Sequence, residues 1–260
     1  MGIVRRIVSV FATVALAVTF VGAGFLVCTT PPVTGVLANL FSDDATSPFS
    51  RTQLAQVAEA TRDYSFGAHD KLALYQAIYE VDLQLRQQIV NANGTLPFAF
   101  PNLDAIGDKS SAEQFEAAFS GASEMYCYSP DTVSHLDDCY NLARTAFIAL
   151  AVAGVVALAG LVFCGVVGRK KLVGSVLVVA GSAVVVLFVT LGICAALDFQ
   201  RFFETFHGIF FSQGNWQFSY DSLLICALPT AFWTGMAAVW LAVATLASIL
   251  SIVIGNKLKR

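Results

Sequence analysis

Residues 145–167 read TAFIALAVAGVVALAGLVFCGVV, residues 168–171 read GRKK, and residues 172–197 read LVGSVLVVAGSAVVVLFVTLGICAAL. Neither apolar run carries a charge, and each exceeds the ~20 helical residues that cross ~30 Å of hydrocarbon at 1.5 Å per residue. Three consecutive cations separate them, too few residues for anything but a tight reversal. The stretch therefore predicts a hairpin of two membrane-spanning helices with its turn on the basic side of the bilayer.

Working outward, residues 7–27 form a third uncharged run and residues 223–254 a fourth, the latter with Pro229 near its start. Arg5 and Arg6 precede the first run, Arg169, Lys170 and Lys171 fill the turn, and Lys257, Lys259 and Arg260 follow the last run. These eight cations have no acidic neighbour, which places both termini and the turn in the cytoplasm by the positive-inside rule. All 18 Asp and Glu fall in the other two loops, against 7 of the 15 Lys and Arg, a net charge of −11. Such a balance argues against a nucleic-acid partner. The expected architecture is an all-α membrane protein, four transmembrane helices with a mostly helical extracytoplasmic cap. Its segments are helix one over 1–28, a cap over 29–144 leading into helix two, helix two over 145–167 and helix three over 172–197. An interfacial extracytoplasmic loop over 198–222, helix four over 223–254 and a basic cytoplasmic tail over 255–260 complete the chain.

Two cations before a long apolar run also describe a signal peptide, but this run is longer than a usual h-region and no A-x-A site follows. Leu26-Val27-Cys28 is a poor lipoprotein box, because Val27 stands where a small residue is wanted; an uncleaved anchor is expected. Cys28, Cys164, Cys194 and Cys226 lie in or beside spans and read as small apolar packing residues. Cys127 and Cys139 share the outer loop, where an oxidising compartment permits a disulfide; spacing alone does not show that the sulfurs meet.

Within the cap, Pro31-Pro32 is expected to stop any helix. Ser50 with Gln53 three residues on forms a capping box, placing Leu54, Val57, Ala58 and Thr61 on an inner face. A second helix is expected from Asp70 to Asn91, on the period of Leu72, Tyr75, Ile78, Tyr79, Leu85 and Ile89, ended by Asn93-Gly94. A third is expected from Ala112 to about Met125, capped by Ser111. Ser134 is expected to cap a helix running unbroken into span two, with His135, Asp138 and Cys139 on one face. In the second outer loop, six of the fourteen residues from Asp198 to Phe211 are Phe. In water that segment would aggregate, whereas at a membrane surface it partitions well, and Trp216, Phe218 and Tyr220 extend it as an aromatic belt.

Of three histidines, His135 and His207 stand near the outer membrane boundary. Imidazole is the side chain that takes and gives a proton near neutral pH, and nearby acids can orient each ring: Asp137 or Asp138 for His135, Glu204 or Asp221 for His207. Two ordinary surface histidines, or a two-histidine metal site, are the competing readings; no H-E-x-x-H, paired-Cys spacing, G-x-S-x-G elbow or Gly-rich phosphate loop is present. His69 reads as a surface residue of the cap.

His135-Leu136-Asp137-Asp138-Cys139 resembles the pattern H-L-x-D-V, departing at Cys139 where Val is usual. Phe206-His207-Gly208-Ile209-Phe210-Phe211 resembles F-H-x-x-F-F, followed in order by Asn215-Trp216-Gln217-Phe218, Asp221, Leu224, Pro229 and Phe232. These are patterns of a family of bacterial four-helix integral membrane proteins that includes the lipoprotein intramolecular transacylase, Lit. The resemblance implies an acyltransferase of the bacterial cytoplasmic membrane, with a membrane lipid or lipoprotein as substrate. It implies movement of an acyl chain from a glyceryl ester to an amine within a lipoprotein, with His135 and His207 dividing the base and acid roles, which takes which being open. No cofactor or metal is required for that transfer. Phe206, Phe210, Phe211 and Trp216 would line the substrate, and Asp137, Asp138, Glu204 and Asp221 would support the histidines. The cap over 28–134 carries no motif that aligns with the family and is expected to be longer than in the transacylase, so a non-enzymatic protein whose outer cap binds an envelope partner is the alternative.

Overall fold

The computed structural model describes residues 2–211 and 214–260, with residues 168 and 169 described by backbone only. The side chain of Arg169, one of the expected cytoplasmic cations, lies outside the described residues. The chain is all-helical among those residues: α1 (Gly2–Cys28), α2 (Pro31–Phe41), α3 (Arg51–Phe66), α4 (Lys71–Asn91), α5 (Ala112–Phe119), α6 (Pro130–Leu197), α7 (Phe199–Phe210), α8 (Leu223–Ala227) and α9 (Thr230–Lys259). Four helical stretches are long and apolar enough to cross a membrane: Gly2–Cys28, Pro130–Val167, Lys170–Leu197 and Thr230–Lys259. The chain is a membrane-integral protein.

The fold divides into two compact units, one of residues 1–28, 144–203 and 236–260, the other of residues 29–143 and 204–235. In the first unit, helical backbone persists through the basic turn of α6, yet the two spans fold back on each other. A Cβ at Gly165 would lie 3.8 Å from Val173, where eight residues of straight helix would separate them by about 12 Å. Lipid tails are as apolar as Leu, so helices in a bilayer associate through close packing and internal hydrogen bonds rather than through hydrophobic burial. The packing here follows that rule. A Cβ at Gly174 would stand 2.5 Å from the Gly255 carbonyl oxygen, and one at Gly255 would stand 2.7 Å from that of Gly174. The centre holds Ala12, Ala15, Leu16, Ala157, Cys164, Val176 and Ala180. Ser251 Oγ donates to the Leu177 carbonyl at 3.0 Å, and Trp240 Nε1 donates to the Val21 carbonyl at 2.7 Å, so polar groups are satisfied inside the unit. Val152, Val155, Leu158, Val162 and Val166 face outward, as lipid requires.

In the second unit, α3 packs against α2, α4 and α8. Ser50 and Gln53 close the expected capping box on α3, and Leu54, Val57, Ala58 and Thr61 are buried. Asp70 caps α4 through the backbone N–H groups of Leu72 and Ala73. Gly94 N–H bonds back to the Ile89 carbonyl past Asn93, whose φ is +54°.

Four sequence expectations are corrected, each by a local reason. Pro31 and Pro32 open α2 instead of preventing a helix, because the N–H groups of a first turn have no intrahelical partner to lose. Helix α5 ends at Phe119, with Gly121 at φ +83° behind it, short of the expected Met125. Helix α6 begins at Pro130, with Ser129 Oγ accepting from the Thr132 N–H at 3.3 Å, so Ser129 takes the capping place expected of Ser134. Pro229 splits the expected fourth span into α8 and α9, since a proline in a helix interior removes a hydrogen bond and clashes with the preceding turn.

One buried group works against the fold. Asp82 on α4 is fully buried, and neither carboxylate oxygen has a hydrogen-bond partner among the described residues. Burial pushes its carboxyl well above the usual carboxylate range, so its protonated form fits the folded state and stability falls as pH rises above the unfolded value. Replacing Asp82 by Leu is expected to add about 1–3 kcal/mol of stability at pH 8 and to flatten that decline, measured by thermal unfolding in detergent across pH. In the membrane unit, Gly174→Leu and Gly255→Leu are each expected to lower stability by about 1–3 kcal/mol through overpacking. Gly154→Leu serves as the control, since a Cβ there meets nothing within 4 Å.

Candidate functional site

Both site histidines belong to the second unit. His135 lies in the second turn of α6, whose start is set by the Ser129 cap and Pro130. The apolar part of this helix begins after Arg144, so residues 130–144 are its polar, extramembrane beginning. His207 lies in the last turn of α7. On α7, Phe199, Phe202, Phe203, Phe206 and Phe210 form one stripe at helical spacing, and none of the helix is buried. The expected loop is thus an amphipathic helix suited to a membrane surface.

The two imidazole rings lie 6.2 Å apart, centre to centre. Phe211, 4% exposed, is a wall common to both: it meets His135 edge-on at 4.8 Å and His207 at 5.6 Å. Phe218 packs on His135 at 5.8 Å, and Trp216 and Phe206 pack on His207 at 5.0 and 5.6 Å. Phe210 stacks on Phe206 at 4.8 Å and is half-exposed. His135 is 7% exposed; its Nε2 lies 3.6 Å from Cys139 Sγ, and its Nδ1 has no hydrogen-bond partner among the described residues. Burial, then repulsion from His207, lowers the His135 pKa to about 4 against a smaller opposing pull from Asp138. At neutral pH it is a free base held against aromatic walls.

The expected supporting acids are distributed differently. Asp138 accepts a hydrogen bond from Asn215 Nδ2 at 2.9 Å, which ties the loop after α7 to α6, while its charge reaches His135. Asp137 points to the other side of α6, where it accepts from the Tyr64 hydroxyl and lies 3.5 Å from His69 Nε2. Asp221 accepts from the Ser219 hydroxyl, and Glu204 lies three residues before His207 on α7. The permitted Cys127–Cys139 disulfide is absent: both are free thiols. Cys127 Sγ is directed to the Phe119 and Ser123 carbonyls at 3.7 and 3.6 Å, while Cys139 faces His135, so the two sulfurs point into different environments. Among the described residues, no group of three or more His, Cys, Asp or Glu side chains could hold a metal ion. The sequence did not single out Asn215 and Phe218 as site residues, although both stand in the run Asn215-Trp216-Gln217-Phe218 that carries the family resemblance. His69, read as a surface residue of the cap, keeps a side-chain exposure of 28% and is stacked between two tyrosine rings.

Fold and site together define a four-span helical membrane protein whose two histidines share an aromatic-walled site. Residues 110–233 match the family model described as lipoprotein intramolecular transacylase Lit, so the chain is similar to that family over a segment containing both histidines. Among solved structures, the in meso structure of the membrane integral lipoprotein intramolecular transacylase Lit from Bacillus cereus is 15% identical, with a TM-score of 0.70, covering 99% of this chain and 97% of that one. A histidine-to-arginine variant of the same protein is 14% identical with a TM-score of 0.62, covering 99% of this chain and 92% of that one. At such identity the likeness is one of fold. No curated protein matches the chain.

The low His135 pKa has a stability consequence. An unfolded histidine binds its proton below about pH 6.5, while the folded one resists until about pH 4. The folded state is therefore expected to lose stability as pH falls from 6.5 toward 4. In thermal unfolding over that window, His135→Gln should show a visibly shallower acid decline than the parent protein.

Proposed function

We propose that this protein is a membrane acyltransferase that moves an acyl chain from a glyceryl ester to an amine within a bacterial lipoprotein. The observation that carries the reading is the buried, neutral His135 imidazole 6.2 Å from His207 behind a common Phe211 wall. The match of residues 110–233 to the Lit family supports it, since both histidines fall inside.

In this reading the neutral α-amine nitrogen of the lipidated cysteine attacks the carbonyl carbon of the sn-2 ester. A C–N bond forms and the C–O bond breaks. The nitrogen gives a proton to a base, and the departing glyceryl oxygen takes one from an acid, leaving an amide and a free sn-2 hydroxyl. Two imidazolium charges at this spacing oppose one another, so the pair favours carrying one proton. His135, kept unprotonated, is the base in our assignment and His207 the acid. Both reacting groups belong to one molecule, so positioning supplies much of the rate. The Phe stripe of α7 sets the depth of the acyl chains at the interface. The basic flanks support a topology with the termini in the cytoplasm and the site on the extracytoplasmic side of the cytoplasmic membrane. Asp138, through Asn215, holds the site loop; Phe206, Phe211, Trp216 and Phe218 form its walls, with Phe210 extending the apolar surface.

The transfer is isomeric, so the intact mass of a lipopeptide does not change. Tandem mass spectrometry reads the acyl position once the S-linked glyceryl group is eliminated from the cysteine, because N-terminal fragments then keep the acyl mass only where the amine carries it. A diacylated lipoprotein expressed with the protein should show N-acylated cysteine, and His135→Ala and His207→Ala should each lower the product about 10²-fold or more. Each variant should still elute as a folded protein in detergent. Undiminished product from both variants would overturn the proposal.

A further inference from the structure

A second histidine constellation stands behind the first. His69, in the α3–α4 connection, lies between two tyrosine rings: Tyr64 of α3 at 4.3 Å and 25°, and Tyr140 of α6 at 3.8 Å and 10°. Its Nδ1 is 3.0 Å from the Tyr64 carbonyl oxygen. A carbonyl oxygen only accepts, so Nδ1 carries a hydrogen and donates it. Nε2 lies 3.5 Å from Asp137 Oδ1, the oxygen that also accepts from the Tyr64 hydroxyl. The backbone at His69 has φ +56°, a left-handed conformation that a side chain makes unfavourable and that persists only where surrounding contacts enforce it. Two stacked faces and the Nδ1–H group thus hold this residue to the end of α3 and to α6, and Nε2 adds an ion pair with Asp137 when the ring is protonated.

The helical wheel relates this clamp to the site. At about 100° per residue, Asp137 and Tyr140 lie about 140–200° around α6 from His135, on its opposite face, while Asp138 and Cys139 flank His135. The clamp holds the back of the helix whose front carries the base. A turn of α6 by about 15° would carry a side chain roughly 6 Å from the axis through about 1.5 Å, beyond the ~0.5 Å tolerance of a working site. We propose that His69 is a positioning residue: by gripping Asp137 and Tyr140 it sets the rotation at which α6 presents His135 to His207. The chemical consequence rests on the acyl-transfer reading, while the positioning itself does not.

Two readouts on the full chain in detergent separate them. Cys139 shares the His135 face and lies against its ring, so its alkylation by N-ethylmaleimide, quantified on the Cys139 peptide by mass spectrometry, reports the seating of that face. The second readout is acyl transfer to the lipopeptide amine. The probing variant is His69→Gly, which removes the clamp while relieving the left-handed backbone, so its melting temperature should stay close to that of the parent. Labelling of Cys139 is expected to rise at least fivefold, and kcat to fall about tenfold with KM within twofold. Tyr140→Ala should reproduce both changes, giving a second variant where His69→Gly folds poorly. Tyr140→Phe, which keeps the stacked ring, should behave as the parent. Unchanged Cys139 labelling in His69→Gly and Tyr140→Ala overturns the proposal, whatever the rate. Raised labelling with an unchanged kcat overturns it as well, since the rotation of α6 would then not govern the chemistry. A parent protein that transfers no acyl chain would sink the acyl-transfer reading, while the labelling would still decide whether His69 seats α6.

Discussion

A helix in hydrocarbon has neither water to satisfy its polar groups nor a hydrophobic force to press it against another helix. Every contact in the membrane unit answers to that constraint. Backbones approach where side chains are missing, as at Gly174 against Gly255 and at Gly160 against Ala12, so dispersion contacts replace the absent solvent force. The few polar side chains turn inward to carbonyls, as Ser251 does to Leu177 and Trp240 to Val21. Charge is confined to the ends of the spans, where Lys257 and Lys259 also complement the C-terminal dipole of α9.

The second unit solves a different problem. It keeps one imidazole dry and unprotonated with a second ring centre 6.2 Å away. Aromatic walls accomplish the first, because burial disfavours the charged form of His135. The nearby His207 reinforces it by repulsion. Elements far apart in sequence cooperate here: α6 brings His135 and Asp138, α7 brings His207, and the following loop brings Asn215, Trp216 and Phe218. The helical cap has a physical part in this arrangement, since α3 and the α3–α4 connection supply Tyr64 and His69 to the back of α6.

Local chemistry was readable wherever a single residue decided it. The Ser50 and Ser111 capping boxes and the Asp70 cap stand where their sequences place them. Proline was misread in both directions, because its effect depends on whether it falls in a first turn, as at Pro31 and Pro130, or beyond a short helix, as at Pro229. Which of Asp137 and Asp138 reaches His135 stayed open in the sequence for a related reason. Asp137 and Asp138 are neighbours in sequence, yet 100° of helix separates them, so one serves the loop before His207's aromatic wall and the other serves His69.

Four apolar runs and their basic flanks were enough to determine an all-helical membrane protein, because the bilayer imposes length and neutrality on each span independently of every other residue. The two outer histidines were likewise visible as candidates by residue type. Their spacing, the neutrality of His135, the free state of Cys127 and Cys139, and the stacking of His69 between two tyrosine rings were decided only by tertiary structure. Each depends on which faces of separate helices meet, and a helix face is defined by packing rather than by the order of residues along the chain.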